Sequence, residues 1–419
     1  MRSSTLLLGA ILLVASAPAF ASNVAVGTCK PSLPSFPTIQ QAVNSVPPGS
    51  TVQVCPGTYA EQVVIGKNLI LKGIPAANQG AAVITVPNGG LVQNTVSLAA
   101  SRPIAAQLLV QAPALAVTVT NLTVDGANNG ISDCTLNPIG IYYQNASGAI
   151  TRTSVLNQVL GAGIEGCQSG LGIFVQSGNT GTSTVSITNN HVENYQKNGI
   201  TGNEAGTAVT ITGNTVIGQG PTNGAAENSI QIGFGATGSI KNNTVGSDVW
   251  APDVFGDTEN AAAGLLVYAS ANVMLAGNNV NNTQFGIGVV SDTNVGNADG
   301  AQITKNTVSA THLYDGIDLC SNNNTVTSNI INGSDESAVH VDDVCTGSST
   351  GNLITKNTIN SACAGILSGP GAAGNTTAPN TYYNVRTLRL DGTNVCTPPL
   401  APSRKHAAKP HPRFEAARP

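Results

Sequence analysis

One six-residue phrase, apolar-x-x-Asn-x-apolar, returns seven times: ITNNHV (187–192), ITGNTV (211–216), IKNNTV (240–245), LAGNNV (275–280), ITKNTV (303–308), VTSNII (326–331) and ITKNTI (354–359). Its fourth position is Asn190, Asn214, Asn243, Asn278, Asn306, Asn329 and Asn357, at spacings of 24, 29, 35, 28, 23 and 28 residues. A second phrase, Gly-apolar-x-apolar or a near relative, follows each one: NGITG (198–202), NSIQI (228–232), AGLLV (263–267), FGIGV (285–289), DGIDL (315–319), SAVHV (337–341) and AGILS (364–368). Period-2 alternation with β-branched residues argues for strands, and the Gly, Asn, Ser and Asp between them argue for turns. The repeat is too brief for a βαβ unit, and strands this short cannot bury a face alone. The chain must therefore stack coil on coil, each strand in parallel register about 4.8 Å from its counterpart.

In that arrangement Ile187, Ile211, Ile240, Leu275, Ile303, Val326 and Ile354 form an inward aliphatic column. The recurrent Asn reads as a ladder, each amide bonding the next at the same turn, and Asn also tolerates the left-handed backbone of a sharp corner. With these phrases in view, the chain resembles the right-handed parallel β-helix family that includes pectate lyases, polygalacturonases, pectin methylesterases and periplasmic copper-site maturation proteins. The stretch FPTIQQAVNSVPPGSTVQVCPGTYAEQVVIGKNLILKGI (36–74) is similar to the family's opening of a capping helix, a turn and a first coil. The resemblance implies an all-β fold, a single-stranded right-handed parallel β-helix with an N-terminal capping helix, and assigns no activity, because fold alone does not. The helix has its own signals: Thr38 as N-cap, an apolar stripe of Ile39, Ala42, Val43 and Val46, and a stop at Pro47-Pro48-Gly49.

The chain opens MRSSTLLLGAILLVASAPAFAS, with one arginine, a short apolar stretch and small residues ending Ala19-Phe20-Ala21. That pattern predicts a signal peptide over residues 1–21, cleaved after Ala21, and a secreted or periplasmic product without a transmembrane segment. The β-helix domain is then expected over 22–400 and a basic disordered tail over 401–419, where SRKHAAKPHPRFEAARP (403–419) holds five Lys/Arg and one Glu. Against an overall net charge of −4, the remaining body is acidic, and no basic patch interleaved with aromatics points to nucleic acid. Eight cysteines (Cys29, Cys55, Cys134, Cys167, Cys320, Cys345, Cys363, Cys396) contain no C-x-x-C pair and suit disulfides in an oxidising compartment. Their order suggests sequential pairs, although eight cysteines allow 105 connectivities. Bridged cysteines and two methionines, Met1 and Met274, speak against soft-metal handling.

Enzyme motifs of the family are largely missing. PGTYAEQV (56–63) matches the Gly-x-Tyr-x-Glu motif of pectin methylesterases, but their Asp-Phe-x-Phe-Gly and Gly-Arg-Pro-Trp stretches are absent, so Tyr59 and Glu61 are expected to be structural. The polygalacturonase set and the pectate lyase Trp-x-Asp-His signature are absent too. Register supplies the candidate site instead. The third residues of the Gly-apolar-x-apolar phrases should form one outward surface column, Thr201, Gln231, Leu266, Gly288, Asp318, His340 and Leu367. Two residues on, Asn203, Gly233, Tyr268, Val290, Cys320, Asp342 and Gly369 should form the next. Asp318, His340 and Asp342 thus become candidate catalytic residues, in a stretch from Asn306 to Thr355 with six acids, two histidines and no Lys or Arg. Stacked carboxylates raise one another's proton affinity, and a His beside a carboxylate suits base catalysis near neutral pH. Asp315 reads as a turn residue. YDGIDLC (314–320) is faintly similar to the Tyr-Gly-x-Asp-Pro-His motif of β-helical alginate epimerases and lyases, a resemblance that gives Tyr314 and Asp318 the tyrosine and aspartate roles.

Gln231, Asn203 and Tyr268 are candidate saccharide ligands beside the cluster. So is Trp250, in the insertion GSDVWAPDVFGDTENAAAG (246–264), whose acids lack EF-hand or nonapeptide spacing and give calcium little support. No cofactor is expected. Two functional classes follow: a polysaccharide-active lyase, hydrolase or epimerase using the Asp/His cluster, or a non-catalytic cell-envelope protein that binds glycan or is structural. The scarcity of Lys/Arg near the cluster argues against pectate and alginate as substrates.

Overall fold

The computed structural model describes residues 20–75, 80–112, 116–178, 180–250, 260–392, 396, 413–414 and 416–419. Within them the chain winds through three long sheets, of 13, 12 and 13 strands, and returns to the same sheet once per coil. Ser183–Thr188 lies in the first sheet, His191–Tyr195 in the second and Asn198–Asn203 in the third. The next strand, Thr207–Thr212, pairs in parallel with Ser183–Thr188 and so begins a new coil. The seven apolar residues Ile187 to Ile354 stand in one register column and are fully buried, as the repeat predicts.

The Asn ladder runs along the corner between the first and second sheets. Asn214 Oδ1 accepts from both the backbone N–H and the side-chain amide of Asn190, each at 2.9 Å, while Asn214 Nδ2 donates to Ile187 O at 2.9 Å. The pattern repeats through Asn243, Asn278, Asn306, Asn329 and Asn357 and ends on Asn380, one rung beyond the repeated phrase. The left-handed residue of the corner is not the ladder Asn but the one before it, among them Asn189, Gly213, Lys305, Ser328 and Lys356, with φ between 55° and 69°. Left-handed backbone costs a lysine or serine roughly 1–2 kcal/mol; the ladder bonds that the corner makes possible offset it.

At the N-terminal side, Ile39–Ser45 is helical, with Thr38 accepting from Gln41 N at 3.2 Å. Ile39, Ala42 and Val43 join the main core. The Gly-x-Tyr-x-Glu motif explains itself here: Glu61 accepts from Ile39 N and Gln40 N at 2.8 and 2.9 Å, while Tyr59 OH donates to Cys55 O at 2.9 Å. A carboxylate at a helix N-terminus meets the orphan N–H groups and the positive end of the dipole. All four sequential disulfides are present: Cys29–Cys55, Cys134–Cys167, Cys320–Cys345 and Cys363–Cys396.

Two expectations change. The third-sheet outward columns are not a surface: Thr201, Gln231, Leu266, Asp318, His340 and Leu367 are all buried. Strands of the first sheet alternate, as in Thr207–Thr212, but Asn198–Asn203, Asn228–Gly233 and Phe285–Val290 are buried at every position. Outer apolar residues gather into three clusters, one around Ile104, Tyr142 and Phe174, one around Leu266, Phe285 and Tyr314, and a small one around Ala364 and Leu367; residues of the tail join the first two. Of the tail expected to be disordered, residues 413–414 and 416–419 are described and contribute to their cover; residues 401–412 and 415 lie outside the described residues. Arg413–Phe414 pairs in parallel with Asn260–Ala261, and Ala417 and Pro419 are buried. The expected signal peptide lies almost wholly outside the described residues. No helix among the described residues is long and apolar enough to cross a membrane.

Candidate functional site

The predicted register holds: Thr201, Gln231, Leu266, Gly288, Asp318, His340 and Leu367 stand rung on rung. Asp318 Oδ2 lies 3.8 Å from His340 Nδ1. The closer partner is Asp315, whose Oδ2 is 3.2 Å from the same nitrogen and whose Oδ1 accepts from Ser337 N at 2.9 Å and Ser337 Oγ at 2.5 Å. Asp315 precedes the strand, as expected of a turn residue, but it is fully buried and anchors the histidine. The reason is local. A Cβ on Gly316 would meet Ile331 Cγ2 at 2.6 Å and Ser334 Oγ at 2.9 Å, so this position faces inward like Ile317 after it. Strict alternation breaks for one residue, and Asp315 and Asp318, three apart, emerge on the same outer face.

Asp342 is also buried, with Oδ1 accepting from Val344 N at 3.1 Å. Burial alone would push the imidazole pKa down, but Asp315 first, then Asp318 and Asp342, raise it to about 10. The three carboxylates thus favour the imidazolium, and the arrangement suits an ion-paired proton donor better than the expected general base. Asp315, Asp318 and His340 each bring a ligand atom within 4.8 Å of the others. A cation entering there would have to displace the His340 proton.

The candidate saccharide ligands divide. Gln231 and Asn203 meet, with Gln231 Nε2 donating to Asn203 Oδ1 at 2.8 Å, and both bond the backbone of Ala417. Tyr268 is half-buried and donates its hydroxyl to Asp292. Tyr314 is buried and stacked on Phe285, with centroids 4.8 Å apart, so it is no open sugar platform. Trp250 is half-buried and donates its indole N–H to Gly224 O at 2.7 Å. Phe255, Asp253, Asp257 and Glu259 lie outside the described residues.

The supposed insertion begins later than its sequence suggests. Thr244–Trp250 is a strand of the second sheet, and Asp248 sits opposite Thr283 with its carboxyl inside the coil. It accepts from Tyr195 OH at 2.6 Å and Ser229 Oγ at 2.5 Å, and burial pushes its pKa up to about 8. Glu227 beside it is raised too, by burial and then by Asp248. This interior group carries no repeat signal and was invisible in the sequence.

Next to Tyr268 is a cleft of about 280 Å³ lined by Arg102, Gln168, Phe234, Tyr268 and residues 416–418. The Phe234 and Tyr268 rings are 5.1 Å apart and tilted by 50°. Arg102 and Phe234 carry no sequence signal, because Arg102 is far from the repeat and Phe234 lies just past its strand. The fold is a parallel β-helix. No family model matches the sequence, and no curated protein does. Among solved structures, the GH136 lacto-N-biosidase from Eubacterium ramulus matches at 12% identity with a TM-score of 0.56, covering 87% of this chain and 68% of that one. The Dettilon tailspike protein matches at 17% identity with a TM-score of 0.55, covering 80% of this chain and 62% of that one. At these identities the likeness is one of fold.

Proposed function

We propose that this is a polysaccharide-binding β-helix protein of the cell exterior or periplasm, which holds its ligand at the Phe234/Tyr268 cleft on the third-sheet side. The cleft carries this reading: two tilted aromatic rings stand beside an exposed guanidinium, Arg102, and an exposed amide, Gln168. Sugar C–H faces stack on aromatic rings, while hydroxyls and carboxylates take hydrogen bonds from amide and guanidinium donors. Arg102 also supplies a cation that the acidic stretch 306–355 lacks. Four disulfides fit an oxidising location. A screen of the purified chain against a glycan panel, read for both binding and degradation, tests the proposal. Phe234→Ala and Tyr268→Ala should each weaken binding to any responsive glycan by about tenfold, a loss of one stacking contact. Unchanged binding in both variants would refute the site.

A second reading, a lyase, hydrolase or epimerase acting through Asp318, His340 and Asp342, is favoured by the imidazolium set among carboxylates. It predicts new reducing ends or unsaturated products that disappear in Asp318→Ala and His340→Ala. Products that persist in both variants rule out this cluster as their source.

A further inference from the structure

Residues 413–414 and 416–419 are bound as a ligand is bound. Gln231 Oε1 accepts from Ala417 N at 2.8 Å while its Nε2 donates to Ala417 O at 2.9 Å, so one buried side-chain amide reads both backbone groups of a single residue. Asn203 Nδ2 donates to the same carbonyl at 2.7 Å. The Ala417 methyl is packed among Ile104, Ile139, Tyr142, Leu171 and Phe174. Arg418 forks onto Glu204, with Nε to Oε1 at 3.0 Å and Nη2 to Oε2 at 3.1 Å, and lies 4.7 Å over the Phe234 ring. Arg413–Phe414 adds a parallel backbone pairing to Asn260–Ala261. Paired amides, a small residue in an apolar seat and a bidentate ion pair are the elements of extended-peptide recognition.

We propose that residues 413–419 are a self-ligand of the third-sheet face, an extended peptide that fills a groove built by Asn203, Glu204, Gln231 and Phe234 and keeps it closed until displaced. Its occupation of Phe234 means that release enlarges the proposed polysaccharide cleft; this consequence, and only this, rests on the function proposed above. Charge fits the exchange, because a basic segment sits on an otherwise acidic body, and a partly exposed Arg418–Glu204 pair weakens with salt.

The test is peptide capture. A chain ending at Ser403, which keeps all eight cysteines, and the full chain are each titrated with fluorescein-labelled RFEAARP. The shortened chain should bind the peptide and the full chain should not, because its seat is filled. Gln231→Ala in the shortened chain should weaken capture about tenfold or more, having removed two hydrogen bonds. A peptide carrying Ala417→Arg, which cannot enter the apolar seat, should not bind; this control leaves the folding of the protein untouched. Capture by neither chain, or equal capture by both, overturns the proposal. Glycan binding is then compared in the two chains. About tenfold tighter binding by the shortened chain supports the closure, and equal binding overturns it. If neither chain binds any glycan while peptide capture follows the expected pattern, the self-ligand stands and the polysaccharide assignment falls.

Discussion

The Asn corner and the outer column of the third sheet climb the same solenoid in the same register, yet they differ in kind. The corner places one residue type on every rung from Asn190 to Asn380. The outer column changes chemistry along its length: Leu109, Tyr142 and Phe174, then Thr201 and Gln231, then Leu266 and Gly288, then Asp318 and His340. From Asn190 to Asn357 each coil poses the same backbone problem at the corner, a left-handed residue with N–H and C=O groups to satisfy beside it, and Asn solves it each time. No such demand is shared by the outer rungs, so their chemistry is free to differ from coil to coil. Repetition records what makes the coil stack; departure from repetition leaves room for a site.

The sharpest way to break this contrast is Asn278→Ala. Asn278 accepts from Asn243 N and Nδ2, both at 3.0 Å, and donates to Ile240 O and Asn306 Oδ1, both at 2.9 Å. Removing it strands buried groups on both neighbouring rungs, at a cost of about 4 kcal/mol in urea unfolding. Asn380→Ala, on the last and only part-buried rung, should cost about half as much. Equal losses at the two positions would mean that stability does not come from ladder continuity.

What could be read from the sequence follows from the same contrast. The corner, the aliphatic column and the adjacency of Asp318 and His340 were all legible, because each is fixed by register and register is fixed by the repeat. The burial of Asp315 was not legible, because the inward step at Gly316 breaks period-2 counting for one residue. Burial of the outer face was illegible for another reason: its cover is partly residues 416–419, about two hundred positions from Asn203 in sequence and carrying no repeat. The sequence places Asp248 in an insertion because it follows the last phrase before a long gap, whereas the strand Thr244–Trp250 continues through it.

A second comparison is between outward positions of different sheets. Leu266 is an outward third-sheet residue with no exposure, while Thr210 is an outward first-sheet residue open to solvent. Leu266→Ala should cost about 3 kcal/mol through lost burial and an unfilled cavity, and Thr210→Ala under about 0.5 kcal/mol. Matching values from chemical denaturation would show that the third-sheet face is not covered in solution.

The last contrast is a pH slope, and it separates an interior polar group from an outer one. Asp248 is raised from 3.8 to about 8. Between those values the unfolded chain has released a proton that the folded chain retains, so stability is full below about pH 4 and falls as pH rises toward 8. Glu227, also raised, acts in the same direction. His340 is raised from 6.5 to about 10, so its contribution is full below pH 6.5 and is lost as pH rises through 10. Each group contributes a slope of at most about 1.4 kcal/mol per pH unit in its window. Asp248→Asn should flatten mainly the limb between pH 4 and 8, and His340→Gln mainly the limb between 6.5 and 10, in urea midpoints measured across the range. If His340→Gln leaves the alkaline limb unchanged, the imidazolium is not held by its three carboxylates, and the outer cluster loses the proton that any acid chemistry there would need.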